Sequence, residues 1–162
     1  MEFEEYKQEE QEEEDYVEIY SKRAIIGFSV FFNVLFGGAF LVINMFNAGY
    51  KKEIGRVISF SFFYYFLSMY LIALSGIRID PKVLDAVAKA QQISTADKMH
   101  IALVVVITLA INFVGGLILT SYFYKKYFPE NDYYAKPIGR AILICLFVSF
   151  VFSFVLKGLL HF

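Results

Sequence analysis

The residues of this chain that could do chemistry are few, and their spacing builds no reactive set. His100 and His161 stand far apart, and a metal site needs three or four converging ligands. No Cys, Asp or Glu set surrounds either histidine. Both read as residues at the ends of apolar stretches, so neither a metal nor another cofactor is expected. Cys145 is the single cysteine, which rules out an intramolecular disulfide and leaves the redox compartment open. Ser59, Ser61, Ser68 and Ser75 fall in or beside one apolar stretch with no His, Lys or Asp at comparable depth. A serine nucleophile needs such a base, so the chain is not expected to be an enzyme.

Asn33 and Asn112 are the other candidates, because each sits inside an apolar block. A buried amide costs free energy unless it is hydrogen-bonded. The plain reading is glue between helices. The sharper one is the polar lining of a small pathway. Asn44 and Asn47 lie near the end of the first block and read as wetted or capping. No Asp, Glu, Lys or Arg falls in the middle of any block, which counts against a proton-driven carrier.

The elements that must position these residues are apolar helices. The chain is 58% hydrophobic and 19% aromatic over 162 residues, with a mean hydropathy of +0.54. A spanning helix needs roughly 20 apolar residues to cover a hydrocarbon core about 30 Å thick. Four stretches free of charged side chains approach or exceed that length, at 24–48, 57–77, 101–124 and 141–156. The expectation is an all-α integral membrane protein with four transmembrane helices. Its parts are an acidic N-terminal tail over 1–21, a first transmembrane hairpin over 22–77, a connecting segment over 78–99, and a second hairpin over 100–162. Within the connection, Asp80-Pro81 is a good helix start. Val83, Leu84 and Val87 share one side there, so a short amphipathic surface helix is expected at about 81–91. Ser94 or Thr95 should cap the helix that follows.

Charge is strongly asymmetric. Residues 1–21 hold ten acids and one base, a net of −9, whereas the remainder holds 14 bases and 6 acids, a net of +8. Such a tail cannot bury enough apolar surface to order itself; it reads as solvated, or as a handle for a basic partner. A cleavable signal peptide is not expected, since such signals open with a basic region and a short apolar core. The bases outside the tail flank the apolar stretches and read as lipid contacts, so nucleic acid is not an expected partner.

Two stretches resemble each other. Residues 31–60 and 110–144 each carry an asparagine three or four positions before Gly-Gly, then a Lys-Lys pair, then Ile-Gly-Arg opening another apolar run. The expectation is an internal duplication, with spans one and two superposing on spans three and four about an axis along the membrane normal. Gly37 and Gly38 should then face Gly115 and Gly116, or the neighbouring helix of their own hairpin, because small residues let backbones approach. Gly116 and Thr120 form a further small pair. Lys51, Lys52, Arg56, Lys125, Lys126 and Arg140 fall in the two hairpin turns and read as contacts to lipid headgroups or a partner. The helix dipole disfavours a cation at an N-terminus, so some acceptor should hold Arg56 and Arg140. Basic residues concentrate on the cytoplasmic side of short loops. With seven bases in the turns against eight on the other side, the tight first turn favours the turns inside and both termini outside the cytoplasm, and cytoplasmic termini stay open. The Phe, Tyr, Ile and Lys bias suits an AT-rich bacterial genome, so a bacterial inner membrane is the expected location. Two functions remain open: a non-enzymatic interaction or accessory subunit of a membrane complex, and a small homo-oligomeric channel or carrier.

Overall fold

A computed structural model describes residues 17–76, 79–129 and 133–160, with side chains as far as Val151. The acidic tail up to residue 16, Arg78, the side chain of Lys157 and His161 lie outside the described residues. The chain is mostly helical. A two-residue strand β1 (Glu18–Ile19) leads into α1 (Lys22–Phe31) and α2 (Val34–Asn47). A 3-10 turn at Lys51–Glu53 then opens α3 (Ile54–Leu74). A short helix α4 (Pro81–Ala88) precedes the long α5 (Thr95–Tyr127), whose segment Leu119–Tyr124 is wound as a π-helix. After a second strand, β2 (Tyr134–Ala135), comes α6 (Gly139–Leu160).

The expectation of one span over 24–48 is corrected. That stretch is broken at Phe32–Asn33, and α1 and α2 fold back on each other as an antiparallel pair. Contacts run in reversed order along the two helices. The Tyr20 backbone meets Asn44 near the end of α2, the Phe28 ring packs on Phe40 at 4.4 Å, and Ser29 lies against Gly37. The break has local causes. Asn33 accepts a hydrogen bond from the Leu35 N–H at 2.9 Å, the N-cap geometry that starts a new helix. Gly37 then allows the return: a Cβ there would collide with Ser29 Oγ and come within 2.8 Å of the Ile25 carbonyl oxygen. Apolar composition alone could not reveal this fold-back, because both arms are as hydrophobic as a continuous span.

The hairpin is clasped by the two long helices. Both Lys51–Leu74 and Thr95–Tyr127 are long and apolar enough to cross a membrane. Only 17% of each apolar window is buried inside the bundle, which is unlike the core helix of a water-soluble protein. Gly38 approaches Ser61 of α3, and Gly116 of α5 approaches Ser29 and Ile26 of α1. The core is the basic-end half of this assembly, centred on Ile25, Leu41, Met45, Val57, Leu119 and Tyr124, all fully buried. The parallel strand pair of Glu18 with Tyr134 and Ile19 with Ala135 ties the start of the described chain to the turn before α6.

The connection behaves as its sequence reads. Asp80 caps α4 by accepting from the Lys82 N–H at 2.8 Å, with Pro81 at the first helical position. Ser94 and Asp97 form a reciprocal cap at the start of α5. The helix ends at Ala88, three residues short of the expected end.

The two similar stretches share direction but not form. In both, the helix carrying Gly-Gly runs into a basic turn, and Ile54-Gly55-Arg56 and Ile138-Gly139-Arg140 each fall at the start of the next helix. What precedes Gly-Gly differs: Asn33 caps a break, whereas Asn112 sits inside an unbroken helix. The superposition of two equal hairpins is therefore not seen.

Candidate functional site

Serines in the bundle are held by their own helices. Ser29 donates to the Ile25 carbonyl, Ser61 to Val57 and Ser68 to Tyr64, at 2.7 to 2.8 Å. Thr120 likewise donates to the Gly116 and Leu117 carbonyls, within the segment where π-winding leaves backbone groups in altered register. These bonds satisfy hydroxyls that would otherwise be unpaired in an apolar setting. They also let two helices approach Ser29 at once, since Gly37 lies on one side and Gly116 on the other. The four glycines thus divide their neighbours. Gly37 and Gly116 meet α1, Gly38 meets α3, and Gly115 meets the Tyr64 ring and Val34. The Gly-Gly pairs do not face each other directly.

The two asparagines meet at one place for different reasons. Asn33 caps α2. Asn112 is buried and donates from Nδ2 to the Val30 carbonyl at 3.5 Å, in the last turn of α1, where helix-end carbonyls lack intrahelical partners. Both amides therefore serve the backbone at the break. Tyr64 closes the same region by donating its hydroxyl to the Ile111 carbonyl at 2.7 Å. Its ring can lie there because Gly115 has no Cβ: one would come within 2.6 Å of the Tyr64 Cε1. A groove of about 580 Å³ opens beside Asn33, walled by Phe36 of α2, Phe62 and Tyr65 of α3, and Ser149 of α6.

Basic residues gather at the other end of the hairpin. Because α1 and α2 return to the side they start from, Lys22 and Arg23 join Lys51, Lys52, Arg56, Lys125, Lys126, Lys136 and Arg140 at one end of the bundle. Several are placed over rings: Lys22 over Tyr124 at 5.2 Å, Lys51 over Phe46 at 4.7 Å, and Lys136 over Tyr20 at 5.8 Å. Cations over aromatic faces are favourable, and these keep their heads at the surface. Arg56 is paired with Glu53, which also accepts from the Tyr127 hydroxyl at 3.2 Å. One carboxylate therefore links the turn before α3 to the end of α5 and answers the dipole at Arg56. No ion pair involves Arg140 among the described residues.

The sequence places Asn44 at the boundary as a wetted or capping residue; in the structure it is fully buried. Its Oδ1 accepts from the Tyr20 N–H at 2.7 Å and its Nδ2 donates to the Tyr20 carbonyl at 2.8 Å, as a neighbouring strand would. Twenty-four positions of separation and the hidden fold-back kept that pairing out of reach. Tyr124, also fully buried, has a hydroxyl with no hydrogen bond of good geometry among the described residues.

No group of three or more His, Cys, Asp or Glu residues suited to a metal occurs among the described residues. His100, at the exposed start of α5, has no companions for one. Comparison with protein-family models, with curated proteins and with solved structures finds no match to this chain.

Proposed function

We propose that this is a multi-pass membrane protein built from a half-depth helical hairpin and three crossing helices, α3, α5 and α6, and that it acts as a non-enzymatic interaction subunit through its basic end. Depth supports the crossing pattern. The tip of the hairpin at Phe32–Asn33 is level with Tyr65 of α3, Asn112 of α5 and Ser149 of α6, each near the middle of its helix. The 10 residues of α1 rise about 15 Å, half of a hydrocarbon core of roughly 30 Å. Non-helical backbone at that depth is tolerated where protein buries it, and Asn33 and Asn112 supply the needed partners.

The observation that carries the functional reading is the convergence of nine basic residues on one end. Such a surface suits anionic headgroups or an acidic partner. By the positive-inside rule it faces the cytoplasm, with the start of the described chain beside it and the end of α6 opposite. On this reading the start of the described chain lies on the cytoplasmic side, where four full spans under the same rule would put it outside. The mass and composition of the particle extracted in mild detergent test the proposal. A stoichiometric second subunit, lost when Lys51, Lys52, Lys125 and Lys126 are changed together to glutamate, is the expected result. A pure homo-oligomer would instead promote the channel or carrier reading, which the groove beside Asn33 favours.

A further inference from the structure

The described part of α6 buries just two residues, Ala141 and Cys145, and beside that small contact lies a groove of about 540 Å³ between α1 and α6. Its lining changes along its length. Ser21 and Arg23 form one end, Phe31 and Phe32 the other, and Ile142 of α6 closes the side. The Ser21 hydroxyl caps α1 by accepting from the Ala24 N–H, and Arg23, exposed at the basic end, is the cation that lines this end of the groove. From Arg23 to Phe32 the helix rises about 13 Å, close to the depth of one leaflet, half of roughly 30 Å. Midway, Gly27 leaves the space open, with nothing within 4 Å of where its Cβ would stand.

We propose that this groove binds one acyl chain of an anionic membrane phospholipid, with the phosphate held at Arg23. A guanidinium offers a planar fork that fits a phosphate bidentately. Charge complementarity selects the headgroup: among the described residues the surrounding end carries nine bases against the acids Glu18 and Glu53, so an anionic lipid is favoured over a zwitterionic one. The wholly apolar remainder selects a hydrocarbon chain, because a polar ligand extending past Arg23 would meet aromatic and aliphatic walls without partners. The tapering contact of α6 leaves the groove open sideways, the direction from which a lipid arrives.

This inference rests on the membrane reading, and the test separates the two. The full chain is first washed in alkaline carbonate; recovery in the membrane pellet checks the membrane reading by itself. The protein is then stripped of lipid in detergent, mixed with equal amounts of dioleoylphosphatidylglycerol and dioleoylphosphatidylcholine, and weighed by native mass spectrometry. One retained phosphatidylglycerol per chain is expected. Gly27→Phe fills the groove and should abolish retention, whereas Gly27→Ala should keep it. Arg23→Ala should lower phosphatidylglycerol retention about tenfold, the loss of one charge-assisted contact. Equal binding of both lipids, or full retention in the Arg23→Ala protein, overturns the proposal even if Gly27→Phe fails to fold.

Discussion

At the scale of single residues, the informative positions are those where a small or polar side chain does a backbone's work. Asn44 is the strongest case, since it satisfies both the N–H and the carbonyl of Tyr20. Asn44→Leu leaves two buried backbone groups without partners, each worth ~1–3 kcal/mol. We expect a clear fall in the thermal midpoint measured in detergent; an unchanged midpoint would mean water reaches Tyr20. Gly37→Ala drives a methyl into Ser29 and the Ile25 carbonyl, and overpacking of this kind costs roughly 1–3 kcal/mol. Gly55→Ala is its control, because open space surrounds Gly55 in α3, and there the better helix propensity of alanine should stabilise by up to ~1 kcal/mol. Tyr124→Phe tests the opposite sign. Removing a buried hydroxyl that has no well-formed hydrogen bond should leave stability unchanged or raise it, and a marked loss would show that the neighbouring Tyr133, whose ring lies 6.1 Å away, satisfies it.

At the scale of elements, the question is why one of four apolar stretches folds in two. Composition does not decide it, since residues 24–48 are uncharged throughout. The deciding groups are a cap at Asn33, glycines at 37 and 116, and the amide of Asn112 arriving from α5. The sequence exposed each of these residues and even paired the asparagines, yet it could not show that one caps a helix start while the other serves a helix end. Local patterns did suffice where the determinants are local: Asp80-Pro81 for α4 and Ser94 for α5 are both read within four residues. The Arg56 acceptor lay equally close, at Glu53. The Glu53 link is exposed enough that Glu53→Gln should cost less than ~1 kcal/mol, while freeing Arg56 for faster modification by an arginine-selective reagent.

At the scale of the whole molecule, the hairpin changes the parity of the crossings. On the proposed pattern, three crossing helices place Val17 and the end of α6 on opposite sides, where four would place them together. Single cysteines at Lys52, Lys126 and Lys82 test this with a membrane-impermeant maleimide, since native Cys145 is buried. Lys52 and Lys126 should label from one side together with a cysteine at Val17, and Lys82 from the other. Labelling of Val17 alongside Lys82 would restore a full first span.

The Asn112 to Val30 hydrogen bond joins positions 82 apart in the chain, and this has a consequence for synthesis. The first apolar stretch leaves the ribosome long before the residue that stabilises its break. Until then its fold-back rests on the hairpin's own contacts, the Asn33 cap, the Phe28–Phe40 packing and the approach of Gly37 to Ser29, while by length alone its 25 apolar residues would also suit a single span. On the proposed crossing pattern, this early segment has two competing paths until α5 arrives, a full span or the folded-back hairpin. A glycosylation reporter ahead of Val17 separates the two in a chain halted at residue 92: an N-terminus on the side opposite to that of the finished protein reveals the full span, and the same side shows that the hairpin forms without the Asn112 contact.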